Sequence, residues 1–171
     1  SPIIFGSCNR QNKPQDHWPA ITAHISARPE LFLWTGDAIY AKNNTLSGID
    51  AAYDQLLRPP REKESPYLTF LATTKAQAAD GIWDDHDYGV NDAGKLTDRA
   101  GRAQRYIDFL DSTVGGGIKK YGREDRWKAP GAYEKEDGLY HYRDFSHDGA
   151  HLRVIFLDTR YVYVCMYVCM Y

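Results

Sequence analysis

The chain has 171 residues, 43% hydrophobic and 26% charged, with 21 basic against 23 acidic side chains and a formal net charge of −2. This is the profile of one globular domain, and its balanced charge leaves no basic footprint for nucleic acid. No apolar run approaches the roughly 18 residues that would span a bilayer, so membrane and nucleic-acid roles are not expected, and no partner protein is implied.

Residues 2–7 form a short apolar run closing on Gly6-Ser7-Cys8, which reads as a buried strand stopping at a polar loop. Trp18, Ile21 and Ile25 then recur at helical spacing, with Pro19 tolerated in a first turn. Leu31–Thr35 is a second apolar run that ends in Gly36-Asp37 and completes a strand-helix-strand unit. A long crossover from Tyr40 to Asp80 carries a helix over Ile49–Leu57, a break at Pro59-Pro60, a charged loop Arg61–Glu64 and a second helix from Tyr67 to about Ala79. Gly81-Ile82-Trp83 is a third short strand, running straight into Asp84-Asp85-His86-Asp87. Thr97–Asp111 is amphipathic, with Ala100, Ala103, Ile107 and Leu110 on one face and Arg99, Arg102 and Arg105 elsewhere. Gly115–Gly117 ends that helix, and with Lys119-Lys120 it is expected to be a solvent loop. Tyr133, Leu139–Phe145 and Leu152–Leu157 alternate or run apolar as strands do, with Ser146–Gly149 as the last turn. Strands alternating with helices predict an α/β fold over residues 1–161.

Residues 162–171 stand apart. From Tyr163 the chain repeats Tyr-Val-Cys-Met with no turn chemistry and no polar face, as a TATG tetranucleotide would encode when read in triplets. The repeat is expected to be a gene-model artefact; the alternative is an apolar edge strand. Cys165 and Cys169 belong to it, which leaves Cys8 as the body's one cysteine and excludes an internal disulfide framework. Ser1 follows no charged-then-apolar leader, so the start is expected to be cut as well. Asn43-Asn44-Thr45 fits a glycosylation sequon without assigning a compartment.

Three successive strands therefore end in groups able to bind metal: Cys8, then Asp37 with Tyr40, then Asp84, Asp85 and His86. Ligands of open α/β sheets sit outside the carboxyl ends of the strands, so these groups are expected to converge in one crevice. Each alone has a plainer reading. Cys8 fits a small buried apolar residue, Asp37 a helix cap, Tyr40 a core aromatic and the acidic run a solvated loop. Yet crowding Asp84, Asp85 and Asp87 together costs repulsion unless cations neutralise them. A thiolate and a phenolate suit ferric iron, whereas the carboxylates suit calcium, manganese or magnesium, with zinc a further candidate. Two metals roughly 3.5–4 Å apart clamp an in-line displacement at phosphorus, with Asp37 the natural bridge and His86 free to hold a phosphate oxygen or protonate the leaving group.

Gly6-Ser7-Cys8-Asn9, Trp34-Thr35-Gly36-Asp37-Ala38-Ile39-Tyr40, Trp83 to Asp92 (WDDHDYGVND) and Leu157-Asp158-Thr159-Arg160-Tyr161 resemble, in order and spacing, the PhoD-like alkaline phosphatases of the calcineurin-like metallophosphoesterases. The resemblance covers residues 3–161. It implies part of a four-layer α/β/β/α sandwich and hydrolysis of phosphomonoesters, or in some members diesters, by a metal-activated hydroxide. It makes Cys8, Asp37, Tyr40 and Asp85 metal ligands, with iron and calcium as the metals and His86 as the catalytic histidine. Asn9, Asp84, Asp87, Asn91 and Asp92 are candidates to support that site or touch substrate. Asp158 and Arg160 join them, with a structural role equally open. The resemblance allows secretion without requiring it. It also expects the last metal ligands in a Gly-Asp-x-His-like motif beyond Tyr161, where the repeat begins, so weak iron binding and no turnover are expected of this truncated chain. His141, His147 and His151 lack ligand spacing and do not replace them.

Three rivals remain. Asp85-His86-Asp87 after a strand fits an aspartyl-phosphate phosphatase with Asp85 as nucleophile, but Gly89 stands where Thr or Val is wanted and Cys8 and Tyr40 go unexplained. Asp85, Asp87, Asn91 and Asp92 suggest a calcium-binding module, but Val90 and Leu96 stand where an EF-hand needs Gly and Glu. A non-catalytic metal-binding fragment is the third. For the tail, sequencing the transcript across Arg160–Tyr171 is expected to return an mRNA without the repeat; one that keeps it in frame restores the edge-strand reading.

Overall fold

The computed structural model describes residues 2–60, 63–76, 79–94, 101–113, 139–147 and 149–160. Thr97, Ala100, the Gly115–Gly117 loop with Lys119-Lys120, Tyr133 and the 162–171 repeat lie outside the described residues. The fold is mixed α/β, with two small sheets and no closed barrel among the described residues. Strands β1 (Ile4–Gly6), β2 (Phe32–Thr35) and β3 (Ala79–Ile82) form a parallel sheet in that order, with Gly6 opposite Trp34 and Trp34 opposite Gly81. Because the strands run the same way in register, all three carboxyl ends open on one edge.

Helices cover one face. Successive strand residues point to opposite sides, so Phe32 and Trp34 share a face and meet α1 (His17–His24), α3 (Pro66–Leu71) and α5 (Arg102–Ser112). The core there is aromatic: Trp18 lies 5.5 Å from Phe32, 5.8 Å from Trp34 and 5.1 Å from Phe70, ring centre to ring centre. The Trp34 indole N–H donates to the Tyr67 hydroxyl at 2.8 Å, which satisfies two polar atoms in that core. Burying each such ring contributes about 1.5–3 kcal/mol. Helix α2 (Leu46–Leu57) starts where the Thr45 hydroxyl accepts from Gly48 N at 3.0 Å, and it buries Ile49, Tyr53, Leu56 and Leu57.

The antiparallel hairpin β4 (His141–His147) and β5 (Ala150–Phe156) docks at β3, an edge strand. Buried Asp80 holds it, accepting from Arg143 Nε and lying 3.3 Å from His141 Nε2. Asp158, beyond β5, makes a second tie: it accepts from the Trp83 indole at 2.8 Å and from Leu139 N at 2.6 Å. No described helix is long and apolar enough to cross a membrane.

Five expectations change. The helix expected from Tyr67 to about Ala79 ends at Leu71, because Thr73 and Thr74 turn their hydroxyls back onto Phe70 O and Leu71 O. Backbone bonds from Lys75 and Ala76 to Pro29 and Glu30 then lead into β3, which begins at Ala79 rather than Gly81. The acidic run is a single helical turn, α4 (Asp85–Tyr88), with Asp85 and Asp87 buried rather than solvated. Ser146 belongs to β4, opposite His151, so the last turn is tighter than Ser146–Gly149. Arg102, expected on a polar face, is 5% exposed and donates to Tyr88 O at 2.7 Å and Asn44 O at 3.0 Å, closing α5 onto α4.

Asp158→Ala strands two buried donors, the Trp83 indole and Leu139 N, and each costs about 1–3 kcal/mol. A loss of at least about 2 kcal/mol in urea unfolding is expected; unchanged stability would show that the hairpin is held by other contacts.

Candidate metal centre

Among the described residues, three that are not glycine hold positive φ: Cys8 at 58°, Asp37 at 52° and Asp92 at 60°. All three sit in loops at the carboxyl edge of the sheet. Such conformations cost of order 1–3 kcal/mol and persist where the surroundings enforce them. Here Cys8 N donates to Gly36 O at 3.3 Å and Asn9 N to Asp37 O at 2.8 Å, so the first loop is laced to the second. The second loop lies directly on the third: at Gly36, whose φ is 111°, a Cβ would fall 2.6 Å from the Asp84 Cβ.

The loops bring Asp37, Asp85 and His86 together, with one ligand atom of each within 4.8 Å of the others. Asp37 Oδ2 accepts from the Tyr40 hydroxyl at 2.8 Å, and its Oδ1 accepts from His86 N at 3.3 Å. The Tyr40 and His86 rings pack 4.1 Å apart. Asp85 Oδ2 accepts from Asp92 N at 2.6 Å and lies 3.7 Å from Arg160 Nη2. Burial raises the Asp37 pKa, and the neighbouring Asp85 charge adds to that. Burial also pushes the Tyr40 hydroxyl well above the phenol range, with the Asp37 carboxylate and then Cys8 reinforcing it. A cation reverses both tendencies by favouring the ionised forms.

Cys8 is exposed and belongs to the edge of this group: its sulfur interacts with the Tyr40 hydroxyl and accepts from Ser7 Oγ at 3.4 Å. Asn9 is 5% exposed; its Nδ2 donates to Ala38 O at 3.1 Å, while its Oδ1 has no hydrogen-bond partner. Asn9 Oδ1 is thus an orphaned buried carbonyl on the loop laced to Asp37, and a hard oxygen donor of this kind is what a metal would take up. These donors suit calcium, magnesium or manganese, and Cys8 and Tyr40 extend the set toward iron.

The remaining candidates are committed within the fold. Asp87 is fully buried and committed to backbone amides, accepting from Ile39 N at 3.3 Å and Asp84 N at 3.2 Å, and burial pushes its pKa up to about 8. Asp84 pairs with Arg160 Nε. Both Asp158 oxygens are engaged, Oδ1 also accepting from Arg160 N at 3.2 Å. Asn91 Nδ2 donates to Asp92 Oδ2 at 2.6 Å on the surface, so the Asn91-Asp92 loop contributes through the Asp92 backbone.

Sequence reasoning missed Gln11. Its side chain clamps both backbone groups of Tyr40, donating to Tyr40 O at 3.0 Å and accepting from Tyr40 N at 2.9 Å. Buried Gln15 pins the same loop through Arg10 O, Lys13 O and the Trp18 indole. The one signal was the cluster of amides Asn9, Gln11, Asn12 and Gln15 just past a strand end, and loop amides carry no periodicity. No family model matches the chain, and no curated protein or solved structure is significantly similar to it.

Gln11→Ala is expected to weaken manganese or ferric-iron binding about 10–100-fold, as loss of a ligand's support does, with the circular dichroism unchanged. Calorimetric titration showing wild-type affinity would remove Tyr40 from the ligand set.

Proposed function

We propose that this chain carries the metal-binding half of a phosphoric ester hydrolase of the PhoD-like alkaline phosphatase kind, built as part of a four-layer α/β/β/α sandwich. The observation that carries the reading is the Asp37-Asp85-His86 group at the shared carboxyl edge of three parallel strands. Each member lies in a motif on which the resemblance rests.

In this reading Asp37, Asp85 and the Asn9 carbonyl hold a hard cation, and Cys8, Tyr40 and Asp37 hold ferric iron. When bound, the metals supply Lewis acidity toward the phosphoryl group and neutralise the crowded carboxylates. The chain's own contribution is positioning. Asp37 is fixed by Tyr40 and the His86 amide, and Asp85 by the Asp92 amide. The imidazole of His86, braced on the Tyr40 ring, donates to a phosphoryl oxygen or returns a proton to the leaving alcohol. Asp85 is less suited to act as a nucleophile, since one of its oxygens is already held by Asp92 N beside the Arg160 guanidinium.

At saturating ferric iron the chain is expected to show a visible tyrosinate-to-iron absorption that Tyr40→Phe abolishes and inorganic phosphate shifts. Absence of the band, or a band surviving Tyr40→Phe, overturns the iron site. A band indifferent to phosphate leaves a metal-binding role without phosphoester chemistry.

A further inference from the structure

Next to the candidate centre is an open cavity of about 450 Å³ between the edge strand β1 and helix α1. Cys8 and Asn9 line it, so it adjoins the metal-competent groups. Its inner wall is apolar, made by Ile4, Ile21 and Phe32 with the edge of the aromatic core at Trp18. Its rim holds Arg10, Lys13 and His17, and among the described residues no carboxylate lines it. That is the opposite polarity to the neighbouring acidic group.

The two cations at the rim have no carboxylate partner among the described residues. Neither Arg10 nor Lys13 forms an ion pair among the described residues, and both are exposed. Arg10 is also aimed: its guanidinium carbon stands 4.8 Å from the centre of the Tyr40 ring, whose hydroxyl is on Asp37. Arg10 thus spans the boundary between centre and cavity. Buried Gln15 fixes that placement by holding Arg10 O and Lys13 O at 3.0 Å each. An apolar slot of this size accepts an aromatic or similarly planar group, and unpaired cations at its mouth accept an anion.

We infer that this cavity receives the alcohol portion of the phosphate ester, and that preferred substrates are esters of planar, apolar alcohols carrying a second negative charge. This rests on the phosphoester reading for its role, whereas the binding itself needs no metal. The apolar body lies against Ile4, Ile21 and Phe32, and the extra anion pairs with Arg10 and Lys13. A neutral alcohol fills the slot but leaves the rim unpaired.

The test uses the full chain in a chelator, so that it does not depend on the metal centre. Hydroxynaphthoate and naphthol, an anionic and a neutral planar alcohol, are titrated calorimetrically. Hydroxynaphthoate is expected to bind about tenfold more tightly, the size of one charge-assisted hydrogen bond, and Arg10→Gln with Lys13→Gln to erase the preference. Arg10→Lys is expected to keep most of it, and both positions are exposed enough for the variants to fold. Equal affinity for the two ligands, or a preference that survives the double variant, overturns the cavity's assignment. Failure of the phosphoester reading would show instead in the iron and phosphate spectra, with the naphthoate preference intact.

Discussion

Everything at the candidate centre depends on three short strands being parallel and in register. Each contributes few residues, and β1 has three, so none could place a side chain accurately alone. Held together, they deliver Cys8, Asp37 and Asp85 to one edge. The loops are then locked to one another rather than to the strands, through Cys8 N on Gly36 O, Asn9 N on Asp37 O and His86 N on Asp37 Oδ1. The positive φ angles of Cys8 and Asp37 are the geometric cost of that lacing.

The parts of the fold that follow from local pattern were legible in the sequence. Phe32 to Trp34 read as a buried strand, and the Asp37, Asp85 and His86 convergence followed from strand ends and residue chemistry. Boundaries were less so, because side chains compete with backbone in ways that periodicity does not register. Thr73 and Thr74 ended a helix that apolar spacing would have continued. Arg102 had the charge of a surface residue, yet Tyr88 O and Asn44 O, both far away in sequence, drew it inside. Gln11 escaped for the same reason, since its only task is to hold the backbone of Tyr40, 29 positions on. Long-range bonds to backbone carry no residue-type signature.

The hairpin is more than a cover for the sheet. Asp80 and Asp158 fasten it at two buried points, and the segment leaving β5 returns Arg160 to the carboxyl edge. A change in hairpin docking would therefore be felt by Asp84 and Asp85 without any movement of the three strands. Folding of the second sheet and charge balance at the edge of the first are one problem for this chain.

That balance decides which acids can serve a cation. Asp37, Asp84, Asp85 and Asp87 crowd together, and on charge alone any of them qualifies. Arg160 takes Asp84 outright but stays 3.7 Å from Asp85, close enough to ease repulsion and too far to hydrogen-bond it. Asp87 is drawn inward by Ile39 N and Asp84 N, and burial holds its pKa near 8, so it adds little charge at neutral pH. What remains is Asp37 and Asp85, each held by an amide through one oxygen, with His86 beside them. The acidic run thus separates into one surface ion pair, one structural anchor and one available ligand. That separation comes from a guanidinium 76 residues away from Asp84 and a backbone 48 residues away from Asp87.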